Sequence, residues 1–119
     1  MKFVEINFSG TVTGDEIYQS REEALQVLLE YSFSHLLIDY QNAAFPEDCE
    51  QIIKFVSSHK IFFPEGTQMA VLISSHSTSF ETINMGRFIA RETQFNMEIF
   101  RSRGTAIQWL GQESGPLIY

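Results

Sequence analysis

Apolar and polar side chains alternate along this chain in two rhythms. At the N-terminus Phe3, Glu5 and Asn7 interleave with Val4, Ile6 and Phe8, a period of two that predicts a strand from Phe3 to Thr13. Gly10 inside that run predicts a bulge or a close approach of neighbouring backbone. Gly14-Asp15-Glu16 opens a helix, with Asp15 as N-cap and acids in the first turn to complement the helix dipole. That helix runs to about Tyr31 and carries Ile17, Arg21, Ala24, Leu25 and Leu28 on one stripe. His35 to Tyr40 is a continuous apolar run ending in Asp39-Tyr40, the pattern of a central strand covered on both faces. Pro46 begins a second helix, where proline at the first position costs no hydrogen bond. Cys49, Ile52, Ile53 and Val56 then follow helical spacing.

Pro64-Glu65-Gly66 marks a turn, and Met69 to Ile73 is a third, doubly covered strand. Ser74 to Ser79 is a polar loop. A third helix spans Ser79 to Gln94, with Phe80, Ile83, Met85, Phe88 and Ile89 on a broad stripe and Gly86 allowing close packing. Met97 to Phe100 is a fourth strand. Thr105 is placed to cap a last short helix bearing Ala106, Trp109 and Leu110, and Gly111 to stop it. Trp109 is expected to be largely buried. The tail from Gln112 to Tyr119 reads as a loop with an apolar end. Strands alternating with helices imply an α/β fold with right-handed crossovers and a largely parallel sheet. With no linker, repeat or low-complexity stretch, residues 1–119 read as one domain.

Composition narrows the function classes. Apolar residues are 44% and charged residues 19% of the chain, near globular averages and unlike a disordered segment. No stretch approaches the roughly 20 apolar residues of a membrane helix. The start, Met1-Lys2-Phe3-Val4-Glu5, lacks the apolar core of a signal peptide, and a single cysteine suits a reducing compartment. Both point to the cytoplasm. A formal charge of −7 with eight scattered basic residues disfavours nucleic acid.

Each candidate for chemistry has a plainer reading beside it. His35, His59 and His76 lie at element ends, away from metal-ligand spacing, and read as solvent-edge histidines. Cys49, between Asp48 and Glu50 on an apolar stripe, reads as a packed thiol. Asp39 ends a buried strand, where ligands sit in many α/β sheets, yet it can equally bond amides of its own loop. Ser75, His76 and Ser77 join a strand to a helix and offer hydroxyls and amides to an anion, without the glycines and lysine of a phosphate loop. Ile61-Phe62-Phe63-Pro64 and Leu117-Ile118-Tyr119 fall outside any amphipathic pattern. They either pack on the core or meet a partner, a second copy or a lipophilic ligand. No catalytic centre, metal or cofactor is expected.

Three segments resemble the SpoIIAA-like family, related to the STAS domains of bacterial anti-sigma-factor antagonists: Phe8 to Glu16, Leu36-Leu37-Ile38-Asp39, and Ile99-Phe100 with Ala106 to Leu110. The resemblance implies a four-stranded mixed, mostly parallel sheet with about four helices, the first strand antiparallel. It also implies a non-enzymatic, regulatory protein-interaction module; the alternative is a module for a small lipophilic or anionic ligand. STAS relatives are phosphorylated on a serine in an Asp-Ser-Ser-Gly setting. Counting on from Asp39, that setting falls at Glu47-Asp48-Cys49-Glu50, and no hydroxyl residue stands between Asn42 and Val56. A phosphoserine switch is therefore not expected there.

Overall fold

The computed structural model describes residues 2–44, 54–74 and 80–113. Four strands, β1 (Val4–Thr11), β2 (His35–Ala44), β3 (Gln68–Leu72) and β4 (Asn96–Phe100), form one sheet in the order β1-β2-β3-β4. All three pairings are parallel. The expected mixed sheet is thus corrected: β1 runs with its neighbours, because the long helix after it returns the chain to the same end of the sheet before β2 starts. The helices are α1 (Gly14–Tyr31), α2 (His59–Phe62), α3 (Phe80–Glu92) and α4 (Arg103–Glu113), with a further helical turn at 54–57.

A strand order that never reverses has a geometric consequence. Right-handed crossovers that always step in one direction place every connecting helix on the same face of the sheet. The side chains divide accordingly. Val4, Leu36, Ile38 and Met69 pack with Ala24 and Leu28 of α1 and with Phe63 and Phe95. Ile83 of α3 joins the same face through Ile99, Val71 and Met97. The opposite face, with Leu37, Ala70 and Leu72, is covered by Ala106 and Leu110 of α4. Leu36, Leu37 and Ala70 are fully buried, as two-sided cover requires.

Local signals explain the element bounds. Thr13, rather than Asp15, caps α1: its hydroxyl accepts from the Glu16 amide at 3.2 Å while the Glu16 carboxylate reaches back to the Thr13 amide at 3.4 Å. This Thr-x-x-Glu box satisfies two amides that a helix start leaves open. Ser32 ends α1 in the left-handed region at φ 57°. The register of β1 against β2 slips after Asn7, where Asp39 and Asn42 oppose Asn7 and Ser9, so the extra residue lies on β2. Gly10 nearby takes φ 72°, which a side chain would resist. At Gly86 an added Cβ would come within 3.1 Å of the Ile99 side chain, the close approach that its place in α3 suggested.

The last helix departs from expectation at both ends. It starts at Arg103, so Thr105 sits inside the first turn and donates its hydroxyl to the Ser102 carbonyl at 2.9 Å. It also continues through Gly111 to Glu113. A single glycine costs a helix only about 1 kcal/mol, less than the packing of Ala106 and Leu110 returns. Trp109 is partly rather than largely buried. Its ring lies 5.5 Å from that of Phe100 at the margin of the α4 face. Among the described residues no helix is long and apolar enough to cross a membrane.

Side chains guard the β4 edge of the sheet. On β4 the Glu98 carboxylate accepts from the outward Ile99 amide at 2.8 Å, Arg87 of α3 donates to the Ile99 carbonyl at 2.8 Å, and the two side chains pair at 2.6 Å. Side chains thereby occupy the donor and acceptor that an edge would offer another strand.

Candidate functional site

Ligands of open α/β sheets sit where adjacent crossovers diverge to opposite faces. The order β1-β2-β3-β4 has no such point, so this fold offers no crevice of that type at the strand ends. What it offers is a space on the helix-bearing face. A cavity of about 120 Å³ lies between the sheet and α1, α2 and α3. Its sheet wall is built from Ile6, Ile38, Met69, Val71, Met97 and Ile99. These are the alternate positions of the four strands, so the period of two in each strand puts one apolar residue after another against the space. Gly86 of α3 also lines it, with the Ile99 side chain packed close against the glycine.

Polar groups enter the lining at separate points, Ser20 beside Arg21 on α1 among them. Arg21 comes from α1, His59 from α2 and Tyr40 from β2. Arg21 Nη1 donates to Ser58 Oγ at 2.6 Å, to the Phe55 carbonyl at 3.4 Å, and lies 3.3 Å from His59 Nδ1. The guanidinium carbon is 4.2 Å from the Phe62 ring centre, 4.8 Å from that of Phe55 and 5.2 Å from that of Tyr18. Aromatic faces attract a cation and offset part of its lost hydration. Burial still lowers the Arg21 pKa, partly countered by Tyr18 and Glu22.

His59 is buried among rings. Its imidazole lies 4.6 Å from Phe55, 5.3 Å from Phe95 and 5.6 Å from Phe63. Burial first, and the Arg21 charge second, push its pKa from 6.5 down to about 3. A neutral ring facing the Arg21 donor accepts at Nδ1 and carries its proton on Nε2. Tyr40 stacks on Phe8 at 4.9 Å, and burial pushes its phenol pKa up. Near neutral pH the lining therefore holds one fixed cation, Arg21, with a neutral His59 beside it.

The residues singled out from sequence distribute unevenly around this cavity. Phe63 is buried in the core and lines it. Phe62 is half-buried, folded under the Arg21 guanidinium and edge-on to Phe63 at 5.2 Å. Ile61, between them and solvent, is 90% exposed. Asp39 lies on the other face, mid-strand rather than at a strand end, and accepts from the Gln41 amide at 2.8 Å. That bond occupies a backbone donor beside the bulge, a local role for a short carboxylate. Asp48, Cys49, Ser75, His76 and Ser77 lie outside the described residues, as does the 117–119 tail. His59 overturns the expectation of a solvent-edge histidine, being 2% exposed.

Arg21 is the functional candidate that sequence reasoning passed over, although its signal was present. It occupies a position on the apolar stripe of α1, between Ile17 and Ala24, where a charged residue must find special surroundings. His59 carried a signal too: Phe55 and Phe63 stand four residues to either side of it, at helical spacing, while Phe95 comes from elsewhere in the chain. Among the described residues no group of three His, Cys, Asp or Glu could hold a metal ion. Comparison with protein-family models finds no match, and comparison with curated proteins finds none either.

Proposed function

We propose that this domain is a non-catalytic binding module that takes a small lipophilic ligand into the cavity between the sheet and its helices. The observation that carries this reading is the apolar space of about 120 Å³. Protein interiors pack densely and leave few voids larger than a water molecule. An apolar cavity of about 150 Å³ in another protein stays dry and takes up benzene, so a space of this size suits a ring or a short alkyl chain. The SpoIIAA-like resemblance adds a regulatory setting, in which occupancy of the cavity is the input and a protein partner the output. Met85 and Phe88, one turn apart on α3 and 39% and 58% exposed, favour that partner contact as a second reading.

Native mass spectrometry of the protein purified from its own cells tests the binding claim, since a retained ligand adds a defined mass. In parallel, 1-octanol should raise the melting temperature of the unmodified protein, because a ligand of the folded state alone stabilises it. Val71→Phe places a ring in the cavity and should leave the fold intact while abolishing that rise. No added mass, together with no thermal shift for any apolar probe, would refute the reading.

A further inference from the structure

Arg21 forms no ion pair with a carboxylate of the described residues. The chain has 15 acidic residues against eight basic ones, so carboxylates are abundant. Arg87 takes Glu98 at 2.6 Å and Arg103 takes Glu5 at 2.6 Å. Among the described residues no carboxylate lies within ion-pair distance of Arg21. Its hydrogen bonds to them all leave from Nη1 and end on a hydroxyl, a carbonyl and a neutral imidazole. Its Nε is enclosed and meets no acceptor. Nε is closed to an arriving oxygen as well as to water, which leaves Nη2 as the donor that an arriving acceptor would meet.

We infer that Arg21 is the anchor for the head group of the ligand, and that the ligand class is a small carboxylic acid, bound as its anion, whose apolar body fills the cavity. The inference rests on the cavity being a ligand site, and three observations extend it to this chemistry. Arg21 belongs to the cavity lining, so a head group bound to it leaves the apolar body among Ile38, Val71 and Met97. Arg21 Nη2 makes no hydrogen bond to a described residue, and an ionised carboxylate is a strong acceptor for a guanidinium donor. The Phe62 and Phe55 ring centres lie 4.2 and 4.8 Å from the guanidinium carbon and confine it, so little freedom is lost when an anion binds. The cavity sets the size of the body at roughly one ring or a short chain.

Matched acids and alcohols separate the charge from the apolar body. Titration calorimetry near pH 7 would compare octanoate with 1-octanol and 3-phenylpropionate with 3-phenyl-1-propanol. The unmodified protein should favour each acid by about tenfold, as expected for one charge-assisted hydrogen-bonded contact. Arg21→Gln should remove that preference by weakening the acids alone, leaving the alcohols within about twofold. Arg21→Lys, which keeps the charge but not the planar guanidinium, should retain part of it. Equal affinity of acid and alcohol for the unmodified protein would overturn the inference while leaving the cavity reading in place. So would a variant that weakens both classes alike, which would make Arg21 a packing residue. Binding of neither class would mean that the cavity reading itself has failed. Should Arg21→Gln not fold, the acid-to-alcohol ratio of the unmodified protein and of Arg21→Lys decides the matter.

Discussion

Acidification should destabilise this protein well above the range in which carboxylates titrate, and His59 is the reason. The imidazole ordinarily titrates at 6.5, and burial with Arg21 alongside pushes it to about 3 in the folded protein. Between those values the unfolded chain binds a proton that the folded chain refuses, so stability rises with pH across the window. It is fully present above about 6.5 and lost progressively toward 3. Each pH unit in the window is worth about 1.4 kcal/mol, so moving from about pH 7 to about pH 5 should remove about 2 kcal/mol. Glu5 does not blur the signal. Its pKa is lowered from 4.5, first by the hydrogen bond from Arg103, so its contribution is lost as pH falls through 4.5 and below, outside the interval from pH 7 to pH 5. Urea unfolding at a series of pH values measures the slope directly. His59→Gln cannot titrate and should flatten it, at some cost in packing at every pH. An unmodified protein whose stability is level between pH 5 and 7, or a slope that survives in His59→Gln, would refute the placement of a neutral His59 in the aromatic cluster.

Three further predictions probe other parts of the fold. Trp109→Ala should cost about 2 kcal/mol in chemical denaturation, below the 3–5 kcal/mol typical of a buried tryptophan, because its ring is only partly covered; a loss above about 4 kcal/mol would contradict that position. The pair Arg87→Ala with Glu98→Ala should uncover the β4 edge and lower the concentration at which the protein self-associates in light scattering, whereas unchanged association would show that the edge needs no guard. Peptide mapping of protein from its native cells should find no phosphate between residues 42 and 56, a stretch without serine, threonine or tyrosine, and a phosphate there on any other side chain would overturn this.

Much of the architecture was legible because both periodicities are local. Val4, Ile6 and Phe8 against Phe3, Glu5 and Asn7 gave the first strand, and the unbroken Leu36-Leu37-Ile38 run gave a strand covered on both sides. The direction of β1 was not legible. Strand direction depends on pairing across the sheet, and the family resemblance suggested an antiparallel start that the register of Val4 with Leu36 corrects. The α4 bounds were misjudged because Gly111 and Thr105 were weighed by propensity, which packing overrides. The candidate site was only half legible. Phe63 was marked as an apolar residue without a pattern, and it lies against both the core and the cavity. The surroundings of Arg21 and His59 are partly tertiary: Phe55 and Phe63 stand four residues either side of His59, whereas Arg21 and Phe95 reach the cluster from distant points in the chain.

The most direct test of the cavity as a binding site is a methyl NMR titration of the unmodified protein with 1-octanol. Ile38, Val71, Met97 and Ile99 line the cavity, while Leu37, Leu72 and Leu110 pack on the opposite face of the same sheet. The predicted result is saturable shifts confined to the first group, with the second group still. Shifts spread over both faces, shifts only at Met85 and neighbouring surface positions, or none at all would contradict the assignment of a ligand to this space.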